Sequence, residues 1–395
     1  MSAPALATRA GLLTCAFYAA IFTAIGAHLP FWPVWLADWG LSEAEVGLYL
    51  GAGLVLRIAA SAGLGALADR LAARRAILAG ASLAAAAVFA LHLAVETRAA
   101  LFVLTLMVTA TLSPMIPLGE ALGLRAARMH AFPYAHARAA GSIAFLLSNL
   151  AVGWAIARTG PDAALYTLAG ACLVAALLAA VHPGGGAPPG SDGVADSARL
   201  KEGVGLLARP RLALFTLAHA LGQSSFAVYY LYGSLDWARQ GIAPGTIGAL
   251  WATGVIAETA LMLGPGRLWV MRLGAAGALA LGAGASVVRW GAKPVEPALW
   301  ALWPLQALHA LGFGLAHLAV MAFMAEALPL RLQASGQGVL VALMTGIGMA
   351  LATLAAGEIR GAFGIEAAWG LAVALSAASL ALALALHGLG RAARA

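Results

Sequence analysis

Apolar residues run through this chain in long stretches, near residues 11–36, 44–67, 76–95, 99–120, 139–158, 162–182, 211–235, 245–266, 273–291, 298–324, 335–356 and 367–388. Crossing a hydrocarbon core of about 30 Å takes an α-helix of roughly 20 residues. The pattern therefore predicts an all-α membrane protein of twelve transmembrane helices. Short polar turns separate the runs, among them ADWGLSEAE, ETRA, RTGPDA and GEIRGAFGIE. The first run is too long for a signal-peptide core and is preceded by little basic charge beyond Arg9, so it is read as a retained helix.

One connection differs. Residues 183–210 are rich in Gly, Pro, Ser and charge and cannot bury an apolar face, so they are expected to form a cytoplasmic linker with one short surface helix. That linker divides the chain into an N-terminal six-helix bundle, 1–182, and a C-terminal six-helix bundle, 211–395. The halves share a pattern. A shift of 201 residues (258 less 57) places Arg57 on Glu258, Leu41 on Ile242, Val46 on Ile247, Gly47 on Gly248 and Gly53 on Gly254.

Hydrophobic residues make up 62% and charged residues 10% of the chain. A soluble domain carries about 25% charged residues, so that class is excluded. The net charge of +7 would suggest nucleic acid in a soluble protein; here its placement matters more. With both termini in the cytoplasm, sixteen of the 23 Lys and Arg residues fall in cytoplasmic segments. Six fall outside (Arg98, Arg158, Arg239, Arg289, Lys293 and Arg360), and Arg57 lies within a span. This asymmetry predicts a multi-pass protein of the inner (plasma) membrane with cytoplasmic termini. Cys15 and Cys172 both lie in apolar runs, so no disulfide framework is implied.

The segment GALADRLAARR, residues 65–75, resembles the signature loop of the major facilitator superfamily, on Gly65, Asp69, Arg70, Arg74 and Arg75. Ala72 stands where that superfamily usually carries glycine. The resemblance implies two six-helix bundles related by an axis along the membrane normal. PFWPVWLADWGLSEAEVG, LWATGVIAE, VVRW and LQALHALGFGLAHLAVMAFM resemble the phenylpropionate permease family, proton symporters of small aromatic acids. YAHARAAGSIAF resembles the start of the fifth helix in that family and in lactose-permease-type symporters. Arg138 takes the position of the arginine there, and Glu120, at the end of the fourth helix, that of its acidic partner. Ala140 and His136 depart from the pattern.

A charge near mid-bilayer costs about 3 kcal/mol or more, so it persists where it lines a polar cavity or has a partner. Glu258 is the expected proton carrier: a carboxyl in such a cavity can load a proton from one side and release it to the other. Arg57 cannot deprotonate but can attract an anion. His309 and His317 are eight residues apart, about 80° around a regular helix, so both can border one cavity beside Gln306. His309 is expected to share proton coupling. Arg57, Glu120, Arg138, Gln223, Tyr230, Gln306 and His317 are the expected substrate contacts, with Tyr18, Tyr229 and Asn149 as further polar or aromatic candidates. Trp32, Trp35 and Trp237 are expected in the interfacial belt. The chain has no phosphate-binding glycine loop, zincin histidine pair or cysteine pair, so no cofactor, metal or enzymatic activity is expected.

The sequence thus reads as a monomeric secondary transporter in the lipid bilayer. Its expected partners are a small-molecule substrate and the proton, with no nucleic acid. The resemblance favours uptake of an aromatic carboxylate such as 3-phenylpropionate. The alternatives are a sugar or nucleoside proton symporter, a drug:proton antiporter, or a non-transporting sensor or scramblase.

Overall fold

The computed structural model describes residues 8–185, 209–327 and 330–392, leaving aside the side chains at 58, 62, 66, 69, 330–345 and 390–392. The described residues form helices joined by turns and short irregular connections, with no strand among them. Its helices are α1 (Arg9–Asp38), α2 (Glu43–Arg70), α3 (Arg74–His92), α4 (Arg98–Leu112), α5 (Met115–His130), α6 (Tyr134–Thr159) and α7 (Asp162–Ala180). They continue as α8 (Pro210–Ser224), α9 (Phe226–Arg239), α10 (Pro244–Leu263), α11 (Gly266–Gly291), α12 (Leu299–Ala307), α13 (Ala316–Ala327), α14 (Leu330–Phe363) and α15 (Ile365–Ala392), with a π turn over Ala310–Leu315.

Ten stretches among the described residues are long and apolar enough to cross a membrane, α4–α5 and α12–α13 each counting as one. Two further expected spans are helical. One is interrupted at Ser225 into pieces of 15 and 14 residues, α8 and α9. The other is α14, many of whose side chains lie outside the description. Most of the expected linker, residues 186–208, lies outside the described residues, as does the side chain of Asp69.

Several helix ends depart from the apolar runs. The fourth span continues past Glu120 to His130, so Glu120 sits inside α5 rather than at a helix end. α11 begins at Gly266 and breaks at Gly274 (φ 71°, ψ 163°), the residue next to the predicted start at 273. In both places a helix continues beyond its apolar stretch, which hydropathy cannot detect.

The chain forms two compact units. One contains residues 8–41, 52–185 and 237–249; the other contains 42–51, 209–236, 250–327 and 330–392. In the first, α1 packs on α6 and α7, and α3 on α7 and α4. In the second, α8 packs on α14 and α15, and α11 on α15 and α13. These pairings repeat in the same chain order, as two related halves require.

The repeat extends to helix caps. Gly40 and Gly241, 201 apart, both have positive φ, 108° and 78°, just past a helix end. The next residue's N–H returns to the carbonyl five residues back, Leu41 to Leu36 and Ile242 to Trp237. This is the Schellman C-cap, which favours glycine because it has no Cβ. The signature loop is built the same way: Ala73 N–H bonds Ala68 O, and Ala72 takes φ 48°. The alanine that replaces the superfamily's glycine is therefore held in the left-handed region.

Trp32, Trp35 and Trp237 are buried, with exposures of 1%, 4% and 0%, and do not form an interfacial belt. Trp32 and Trp35 stack on each other and edge-on against His92, and Trp35 Nε1 donates to Asp162 Oδ1 at 2.8 Å. Aromatic packing and a hydrogen bond hold these two inside the first unit.

Candidate functional site

The second unit buries an ionic cluster built from four helices. On α10, Gly254 and Glu258 are one turn apart and share a face. A Cβ on Gly254 would approach His309 Cβ to 3.3 Å, and one on Gly314 would approach Glu258 Cγ to 3.0 Å. Two glycines thus let α10 and the π turn pack closely, bringing Glu258 beside His309. The π turn widens the helix by one residue just after His309, a distortion that recurs at functional sites.

His309 Nε2 lies 3.3 Å from Glu258 Oε2, with side-chain exposures of 10% and 19%. Its other nitrogen, Nδ1, lies 3.2 Å from Nη1 of Arg289 on α11. A guanidinium only donates, so Nδ1 must accept and the ring proton sits on Nε2, where it is donated to Glu258. The imidazole is neutral in this arrangement. A second proton would have to occupy Nδ1 and would break the Arg289 contact. Arg289, His309 and Glu258 therefore form a line from cation through dipole to anion.

Arg289 is 2% exposed. Its Nη2 donates to Gln306 Oε1, to which Tyr229 Oη also donates at 3.4 Å. The guanidinium carbon lies 4.5 Å from the ring centroids of Tyr229 and Trp290 and 5.7 Å from Phe226. Cation–π contacts of this kind contribute about 0.5–2 kcal/mol each where water is excluded. Phe313 stacks on His309 (5.1 Å, 8°), and Tyr230, stacked on Trp251, is within electrostatic range of both Glu258 and Arg289. The most accessible member of the Glu258–His309–Arg289 line is Glu258.

A second ion pair occupies the first unit. Arg138 Nη1 donates to Glu120 Oε1 at 3.0 Å, both side chains 42% exposed. The guanidinium carbon is 5.1 Å from the Phe22 ring and 6.0 Å from that of Tyr18, whose hydroxyl bonds Tyr134 Oη at 2.6 Å. A half-open guanidinium edged by aromatic rings can receive a carboxylate bidentately.

The sequence profile of the MFS_1 like family matches residues 13–371. The chain belongs to the MFS_1 like family. It is a multi-pass membrane transporter of the major facilitator superfamily, and not an enzyme. It is 30% identical over 321 residues to the "Probable 3-phenylpropionic acid transporter" of Escherichia coli (strain K12), covering 78% of this chain and 80% of that one. It is also 30% identical over 347 residues to the maltose permease of Geobacillus stearothermophilus, covering 87% and 86%. Among solved structures, the nucleoside transporter NupG superposes with a TM-score of 0.78 at 16% identity, over 96% of this chain and 98% of that one. A D-xylose-proton symporter superposes with a TM-score of 0.68 at 13% identity, over 95% and 96%.

Within this MFS transporter, Glu258, His309, Gln306 and Tyr230 fall in one cluster, and Glu120 and Arg138 in another. Arg57 lies on α2 in the first unit, exposed and within electrostatic range of His28. Gln223 is buried in α8, two residues ahead of the break. His317 is exposed on α13 with His219 of α8 as an electrostatic neighbour. The 80° separation from His309 does not apply, because the π turn slips the helical register between them. Asn149 is buried and bonds the Phe145 carbonyl of its own helix at 2.7 Å.

Arg289 and Lys293, assigned to outer segments from the sequence, are both buried within the protein, at 2% and 4% exposure. Arg289 ends an apolar run and so looked like an interfacial arginine. The signal was its place in VVRW, one of the stretches that carried the family resemblance.

Proposed function

We propose that this transporter takes up a small organic solute with protons by alternating access, the solute being an aromatic carboxylate such as 3-phenylpropionate. Glu258 is the proton carrier and His309 the relay that joins it to Arg289. The observation that carries this reading is the partly exposed carboxylate at the end of an otherwise buried ion line. Its charge can change with water access, whereas Arg289 cannot deprotonate and His309 is held neutral. The 30% identity to a protein named for 3-phenylpropionic acid supports the substrate class. Arg138, with Glu120 as counter-ion, and Arg57 are proposed to attract the anionic substrate, with Gln306, Tyr230, Gln223 and His317 as further contacts.

The protein acts as a monomer in the inner membrane with cytoplasmic termini and bundles at 1–182 and 211–395. A second reading, a sugar or nucleoside symporter, is favoured by the identity to a maltose permease and the likeness to a nucleoside transporter.

Glu258→Gln in proteoliposomes tests the assignment. Uphill accumulation of labelled 3-phenylpropionate should be lost while exchange across the membrane persists. Undiminished accumulation removes Glu258 from the coupling role. Displacement of bound probe by maltose or a nucleoside, and not by 3-phenylpropionate, would select the second reading.

A further inference from the structure

Arg289 and Glu258 are the ends of a line whose middle member is neutral. Lys293, one turn beyond Arg289, is buried over the Trp369 ring (5.1 Å), with Asp236, 4% exposed, as the acid in electrostatic range. When both are ionised, Lys293 and Asp236 carry opposite charges that sum to zero. The titratable groups facing Glu258 are His309, on the stretch leading into the π turn, and Tyr230 on α9, with Arg289 on α11 reached through His309. Of these only Arg289 is charged, so the buried cluster is neutral while Glu258 is ionised.

Protonating Glu258 alone would leave Arg289 as an uncompensated buried cation, which is unfavourable. A single negative charge arriving at the same time removes that cost. The place for it is set by the hydrogen bonding: His309 Nε2–H, which faces the partly exposed Glu258, loses its anionic acceptor when Glu258 is protonated. An incoming carboxylate can accept that bond in its stead. Phe313 stacks on His309, and Tyr230 lies within electrostatic range of Glu258, so both bring aromatic rings to this place.

Building on the proton-symport reading above, we infer that the substrate is a monovalent carboxylate that takes the place of the protonated Glu258 carboxylate against His309 and Arg289. One proton and one negative charge then cross together, and the cycle moves no net charge. A neutral sugar or nucleoside would leave Arg289 uncompensated at this site.

Two measurements test this. In proteoliposomes, corrected for protein-free vesicles, an acid-outside pH gradient should drive uptake of labelled 3-phenylpropionate, and an inside-negative potassium diffusion potential alone should drive none. Uptake driven by the potential alone would overturn electroneutral anion transport while leaving proton symport standing. Uptake driven by neither would overturn the symport reading and this inference with it. In the second measurement, 3-phenylpropionate affinity of the purified protein should weaken with rising pH by up to about tenfold per pH unit, the slope of one linked proton. Glu258→Gln should bind at high pH as tightly as the native protein does at low pH. A Gln variant that keeps the native pH slope, or a native protein without one, would refute the exchange of carboxylates.

Discussion

Replacing Arg289 with methionine removes the positive end of the line while keeping much of the side chain's length. The change strips two hydrogen bonds, to Gln306 Oε1 and His309 Nδ1, and the stacking over Tyr229, Trp290 and Phe226. Removing one member of a buried charged network costs about 3–5 kcal/mol, because its partners stay desolvated. Burial of the apolar methionine offsets part of this, so a net loss of about 2–4 kcal/mol is expected. Glu258→Gln alone keeps an acceptor for His309 Nε2–H but leaves Arg289 without a counter-charge, at about 1–3 kcal/mol. The double variant removes both charges together and should be more stable than the sum of the two losses predicts, by about 1–3 kcal/mol. Unfolding of the purified proteins in mixed micelles with rising detergent denaturant measures all four corners of the cycle. Losses that add to within about 0.5 kcal/mol would refute the energetic joining of Glu258 to Arg289 through His309.

Ala72→Gly should raise stability by roughly 0.5–1 kcal/mol, because φ 48° strains an alanine and not a glycine; a lower melting temperature would contradict the Schellman reading of the signature loop. His182, two residues past α7 and fully buried, accepts from Gly184 N–H at 3.1 Å and packs edge-on against Phe17. Burial, and next the Arg75 charge, lower its pKa from 6.5 to about 4. The folded protein thus binds fewer protons than the unfolded chain between these values. The stability from neutral His182 is complete above about pH 6.5 and is lost as pH falls toward about 4, with about 2 kcal/mol gone by about pH 5. A His182→Asn variant should lose correspondingly less between about pH 7 and pH 5, and an equal loss would contradict this assignment.

The helices were legible because a membrane span declares itself by length and apolarity alone, and the repeat because it reuses the same glycines at the same offsets. Helix ends were legible only where they coincide with the edge of the bilayer. The polar turns of α5 beyond Glu120 remain helical although nothing in their hydropathy requires it. Glu258 stood out as a carboxylate inside an apolar run. Arg289 did not, since an arginine at the end of a run fits an interface equally well; its partners Gln306 and His309 lie 17 and 20 residues away in sequence. The π turn was also hidden, and it shifts the facing of every residue after His309 on that span. Trp32 and Trp35 illustrate the same limit: their stacking on His92 depends on a neighbouring helix that residue type does not reveal.

Substrate-induced proton uptake tests the central claim most directly. Adding 3-phenylpropionate to the purified protein in weakly buffered detergent solution at neutral pH, with an indicator dye, should draw about one proton per protein from solution. The same addition to Glu258→Gln should draw none while the ligand still binds. Native protein that binds the acid without taking up a proton, or a Gln variant that takes one up as before, would contradict the assignment of Glu258 as the coupled carrier.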